Sequence, residues 1–152
     1  MNSDIDLNIR DITNIDELNN LKLKIVIQQG ELLFSGSSIM WKDSLKITLN
    51  ESLLNYSEGE INLNGKAVLN FFDLKKFYQT FQVKKTDRKK IEKIKIDFNY
   101  NFINNNVNFD NVKVDNDTNN NLQKFLDEFN SNKNRVFNKI TFKNFINEFF
   151  NN

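Results

Sequence analysis

INLNGKAVLNF (61–71), FDLKKFYQTFQVKKTDRKK (72–90) and IEKIKIDFNYNFINNNVNFDNVKVD (91–115) form one continuous pattern. Ile61, Leu63, Gly65, Ala67, Leu69 and Phe71 recur at period two, which predicts a strand with one apolar face. Asp73 is a predicted N-cap, because its carboxylate can accept from the free amides of a first helical turn. Leu74, Phe77, Tyr78 and Phe81 then share a helical face, and the helix is expected over about 73–83. The basic segment 84–90 (KKTDRKK) follows. Ile94, Ile96, Phe98, Tyr100 and Phe102 return to period two, and Asn104, Asn105 and Asn106 predict a hairpin turn. Val107 and Phe109 differ in parity from Val112 and Val114, which predicts a β-bulge near Asp110 and Asn111.

The pattern extends toward the N-terminus. Ile5, Leu7 and Ile9 alternate with polar residues, and so do Leu21, Leu23, Ile25 and Ile27. Gln29-Gly30-Glu31 signals a turn, Leu32 to Phe34 a strand, and residues 35–38 (SGSS) a break. Ile39 to Trp41, then Leu45, Ile47 and Leu49, and then Leu53 to Tyr56 read as further short strands. The gaps are too short for parallel crossovers, so antiparallel pairing is expected. Toward the C-terminus, NDTNNN (116–121) is a polar break. Leu122, Phe125, Leu126 and Phe129 form a helical stripe, residues 131–135 break it, and Phe137 and Ile140 lead into a Phe-rich helix carrying Phe142, Phe145, Ile146 and Phe149. The expected fold is α+β, mainly β: an antiparallel meander curled into a groove, with short helices after the strands. Residues 1–115 carry the sheet and 116–152 a helical segment packing on it, as one domain of a longer protein.

Composition narrows the chemistry. The 152 residues suit a single domain, which hides roughly 70% of its unfolded surface. Lys and Arg number 21 against 20 Asp and Glu, so no global charge draws the chain to nucleic acid. Cys and His are absent, which removes the usual zinc ligands, the thiol nucleophile and the commonest general base. Asn supplies 29 residues, close to a fifth, consistent with an AT-rich coding sequence. No apolar run is long enough for a transmembrane helix, and the first ten residues lack the apolar core of a signal peptide. The acid pairs Asp115/Asp117 and Asp127/Glu128 match neither a calcium loop nor a catalytic dyad. We expect no enzyme activity, no cofactor and no metal.

Two surfaces are candidates for function. One is the apolar stripe Leu21, Leu23, Ile25, Ile27, Ile61, Leu63, Leu69, Phe71, Ile94, Ile96, Phe98, Tyr100 and Phe102. It reads either as a lipid-facing groove or as a core covered by the helices. The other is the basic segment Lys84, Lys85, Arg88, Lys89 and Lys90, which reads either as a headgroup contact or as a solvated turn.

The segments GELLFSGSSIMWKDSLKITLNESLLNYSEGEINLNGKAVLNFFDLKKFYQTFQV, KKTDRKKIEKIKIDFNYNF and FLDEFNSNKNRVFNKITFKNFINEFF resemble the C-terminal region of AsmA-like proteins, the bacterial envelope family that includes the TamB type. The resemblance spans roughly four fifths of the chain, from about Gly30 to Phe150, and rests on the order and phrasing of segments. It implies a β-groove at the periplasmic face of the inner membrane that carries phospholipid acyl chains, with envelope proteins as partners. The family's N-terminal membrane anchor has no counterpart here. The alternative is a closed β-rich structural or protein-binding domain without lipid cargo.

Overall fold

The computed structural model describes residues 3–12, 17–29, 31–131 and 139–151, with backbone alone at 129–131, 139–142 and 151. Nine strands among them form one antiparallel sheet. They are β1 (Ser3–Asp11), β2 (Leu18–Gln28), β3 (Glu31–Leu33), β4 (Ser38–Trp41), β5 (Leu45–Ser57), β6 (Glu60–Phe71), β7 (Lys93–Asn101), β8 (Asn106–Val114) and β9 (Asp117–Thr118). Three helices accompany them: α1 (Leu74–Thr80), α2 (Asn120–Ser131) and α3 (Lys139–Asn151). The fold is mainly β with a meander sheet, as the periodicity implies. Of the polar break expected at 131–135, Ser131 is instead the last residue of α2, and 132–135 lie outside the described residues together with Gly30, Phe137 and the side chains of Phe129, Ile140 and Phe142.

Neighbours run β1-β2-β3-β5-β6-β7-β8-β9, and β4 also pairs with β2 and β5. β3 and β4 therefore share one lane of the sheet. β3 meets β2 at Val26–Gln28, whereas β4 meets it at Leu18–Lys22. The SGSS break divides that lane, and serines replace the missing ladder bonds. Ser37 Oγ accepts from Lys24 N at 3.0 Å and donates to Lys24 O at 3.1 Å. Ser35 Oγ accepts from Ser52 N at 3.0 Å.

The two short strands expected at 45–49 and 53–56 are one strand, β5, with a bulge between Asn50 and Leu53. Glu51 takes φ +48° there, and Ser52 turns inward over Gly65 and is fully buried. A Cβ on Gly65 would lie 2.2 Å from Ser52 Oγ. The glycine in the middle of β6 is thus dictated by a close approach, one of the standard reasons for Gly in a strand.

α1 is capped as expected, with Lys76 N donating to Asp73 Oδ1 at 2.8 Å. It ends at Thr80 rather than near Val83, because Gln82 adopts φ +54° and breaks the helical run. The β8 bulge falls where the parity change predicts it. The β7–β8 register shifts between Lys95 and Asp97, and Asn111 takes φ +50°. Asn20, Asn105, Asn111 and Asn116 all have positive φ, so part of the Asn content serves left-handed positions. The break at 116–121 contains β9 and the start of α2, for which Asn119 Oδ1 accepts from Leu122 N.

Directly paired residues share a sheet face. The row Ile27, Leu32, Leu54, Leu63, Tyr100, Val107 therefore lies on one face, and so does the row Trp41, Leu45, Phe71. β6 and β8 both run toward the second row, and α1 and α2 follow them from that end. At the first row the connections are only the tight turns at 58–59 and 102–105. The helices consequently cover one end of the face. The core there contains Leu45, Ile94, Ile96 and Val112 beneath Phe77, Tyr78, Phe81, Leu122, Leu126, Phe149 and Phe150. Phe150 anchors it, with ring centroids 5.0 Å from Tyr78, 5.3 Å from Phe149 and 5.7 Å from Phe77.

Candidate functional site: an open apolar sheet face

The expected stripe is divided between the two ends. Ile94 is wholly buried and Ile96 is 8% exposed, both in the core. Leu69 and Phe71 are partly buried and pack against that core. These four residues are beneath the helices and do not line an open surface, because side chains of α1, α2 and α3 pack into the same core. Phe102 is not on a strand at all; it lies in the β7–β8 turn and is exposed.

The other candidates are outside the core. Leu21, Leu23, Ile25 and Ile27 of β2 are half-buried, as are Ile61 and Leu63 of β6 and Phe98 and Tyr100 of β7. β1 extends the same face: Ile5 opposes Ile25, Leu7 opposes Leu23 and Ile9 opposes Leu21. Ile5, Leu7 and Ile9 are 40, 47 and 44% exposed. Tyr56 and Ile103 add exposed apolar surface at the end of the tight turns. The face is thus a core at one end and an open apolar surface along β1, β2 and the distal halves of β5 to β8. Side chains at directly opposed positions stand close enough to form a continuous surface rather than scattered exposed residues.

The reverse face is polar beneath the open ends of β6, β7 and β8. Asn55 pairs with Asn62, Asn62 with Asn101 and Asn101 with Asn106; in the next polar row, Asn64 pairs with Asn99 and Asn99 with Asn108. Asn64 Nδ2 donates to Asn55 Oδ1 at 3.3 Å, and Asn99 Nδ2 donates to Asn64 Oδ1. Toward β2 the same reverse face carries a short apolar row, Val26, Leu33 and Leu53, so the polar character belongs to β6, β7 and β8.

The basic segment lies at the covered end, before β7 begins. Residues Lys85–Asp87 form a 3-10 turn. Tyr78 fixes its backbone: its hydroxyl donates to Lys89 O at 2.6 Å and accepts from Lys89 N at 3.1 Å. Burial pushes the Tyr78 hydroxyl above its usual 10.0, while the Lys89 hydrogen bond and the Arg88 charge pull it back. Arg88 Nε donates to Val83 O at 3.0 Å, and its guanidinium lies 5.9 Å from the Tyr78 ring centre. Lys84, Lys85, Lys89 and Lys90 are exposed and have no ion-pair partner among the described residues. Strand β7 separates this loop from the open end by about 27 Å at the usual rise per residue. The two candidate surfaces are not adjacent.

α2 closes the β8 edge. Gln123 Nε2 donates to Phe109 O and to Asp127 Oδ1, and Gln123 Oε1 accepts from Val112 N at 3.4 Å. Its amide thus bonds backbone groups on both sides of the bulge at Asp110 and Asn111. Sequence periodicity alone does not reveal this clamp, since it joins positions on different elements.

Among the described residues, no helix is long and apolar enough to cross a membrane. No group of three or more Asp, Glu, His or Cys side chains among them is placed to hold a metal ion. No family model matches the chain, and neither a curated protein nor a solved structure matches it.

Proposed function

We propose that this chain is a non-enzymatic envelope protein, an AsmA-like C-terminal region whose open sheet face holds phospholipid acyl chains at the periplasmic side of the inner membrane. It would contribute to lipid transport or outer-membrane assembly. The observation that carries the reading is the exposure of Ile5, Leu7 and Ile9 in register with the half-buried stripe of β2. Segment order and phrasing support the family assignment. The mechanism is passive. Each methylene removed from water onto such a face gains about 0.8 kcal/mol, so an acyl chain is held without specific polar contacts. Flux then follows a gradient or a partner protein.

The test is native mass spectrometry of protein purified from bacterial cells after gentle detergent exchange. Phospholipid should accompany the parent chain. It should be lost from the variant with Ile25→Asp and Leu63→Asp, while circular dichroism stays unchanged. A lipid-free parent protein would overturn the reading. A second reading, a protein-binding domain without lipid cargo, is favoured by one observation: the outer edge of β1 has no neighbouring strand among the described residues.

A further inference from the structure

The two edges of the sheet differ. β8 is followed by the two-residue strand β9, with α2 packed beside it. A short edge strand and a covering helix are standard ways of blocking further pairing. Among the described residues β1 has neither device. It is nine residues long, runs without a bulge along β2 from Ser3 to Ile9, and is exposed on both faces beyond Ser3.

Its sequence, SDIDLNIRD, is complementary to itself when reversed about Leu7. In an antiparallel pair centred there, Leu7 opposes Leu7 of a second copy and Ile5 opposes Ile9. Asp4 opposes Arg10, Asp6 opposes Asn8 and Ser3 opposes Asp11. Apolar residues meet apolar ones, and two Asp–Arg pairs of opposite charge are formed, one on each side of the axis. Neither Asp4 nor Arg10 has an ion-pair partner among the described residues. The neighbouring register centred on Asp6 would set Asp6 against Asp6, and the one centred on Asn8, although it forms Asp6–Arg10 pairs, would replace the Ile5–Ile9 contacts by Ile5 against Asp11. Like charges directly opposed, or a charge opposed to an apolar side chain, disfavour both. Paired positions in the Leu7 register also have equal parity, so the outward-pointing amides and carbonyls of one strand meet those of the other.

We infer that β1 is a dimerisation edge: two copies of this chain pair antiparallel through β1 about a two-fold axis at Leu7. The arrangement is isologous, the commonest form of closed oligomer. It joins the two open apolar faces into one surface, but it does not depend on lipid binding.

The chain has no cysteine, so a single introduced thiol reports the register. Opposed residues of an antiparallel pair have Cα atoms about 4.5–5.5 Å apart, within disulfide range. Leu7→Cys should give a cross-linked dimer on mild oxidation. Ile5→Cys alone should not, since residue 5 faces residue 9 of the other copy. Sedimentation velocity over a range of concentrations should show a monomer–dimer equilibrium for the parent. Asp4→Arg or Arg10→Asp alone should weaken the dimer about tenfold, because both charge pairs become repulsive. The exchange Asp4→Arg with Arg10→Asp should restore it. A parent that stays monomeric, equal cross-linking at positions 5 and 7, or failure of the exchange to restore pairing would each overturn the inference.

Discussion

Ile94 and Tyr100 lie on the same face of the same strand, yet Ile94 is wholly buried and Tyr100 is half-exposed. Their immediate environments look alike in sequence: each sits in a period-two apolar run, and each has apolar neighbours on the adjacent strands. The difference comes from the connections. α1 and α2 leave the sheet at the Ile94 end, and the Tyr100 end carries only tight turns. Alternation specifies which face is apolar; the connections specify which part of that face is covered.

The largest expected effects come from the covered end. Ile94→Ala and Phe150→Ala should each cost about 2–5 kcal/mol in urea unfolding, from lost burial and the cavity left behind. Leu7→Ala and Ile9→Ala on β1 should cost under about 1 kcal/mol, since those side chains keep 47 and 44% of their exposure in the fold. Equal losses at the two ends would break the comparison.

Gly65→Ala should destabilise by roughly 1–3 kcal/mol, because the added methyl meets a buried Ser52 beside a fixed bulge. Ser52→Gly in the same chain should recover most of that loss. Gln123→Ala should cost about 1–2 kcal/mol by leaving the Phe109 carbonyl and the Val112 amide without their side-chain partner.

The Tyr78 hydroxyl gives a smaller, pH-dependent difference. Its folded pKa is raised, chiefly by burial. Its contribution is therefore constant below the unfolded value of about 10 and is lost as pH rises above it. Tyr78→Phe should lower stability by about 1 kcal/mol at neutral pH through loss of the Lys89 hydrogen bonds. The deficit should shrink above pH ~10, where the parent begins to lose its advantage. A deficit that is unchanged at alkaline pH would contradict this role for burial.

The smallest stability effect per residue is expected for Lys84, Lys85, Lys89 and Lys90 changed together to Glu, within about 0.5 kcal/mol for each substitution. Because their loop is at the far end of β7, the change should leave co-purified lipid untouched while weakening attachment to anionic vesicles. Loss of bound lipid in that variant would place both contacts at one site.

Much of the fold was legible because its signals are local. Period two marked the strands, Asp73 marked a helix start, and the parity change between Phe109 and Val112 marked a bulge. The continuity of β5 was hidden because Asn50-Glu51-Ser52 reads as a polar gap, although in the sheet it is a bulge that tucks Ser52 over Gly65. Phe102 continued the period into residues that form the turn, where the backbone reverses before the pattern does. The candidate stripe was legible as a face and illegible as a site. Which of its residues are covered depends on helices whose docking is set by contacts distant in sequence, such as Asn147 Nδ2 donating to Phe81 O at 2.8 Å. The mirror relation of Asp4 and Arg10 about Leu7 is present in the sequence, but it acquires meaning only once β1 is seen to be an edge.

The most direct measurement of the central claim is methyl NMR of the Ile- and Leu-labelled protein with a phospholipid bearing a nitroxide on its acyl chain. Strong broadening at Ile5, Leu23, Ile25 and Leu63, with Ile94 and Ile96 spared, is the predicted result. Absence of broadening, or equal broadening at Ile94 and Ile25, would contradict an open apolar face that takes up acyl chains beside a closed core.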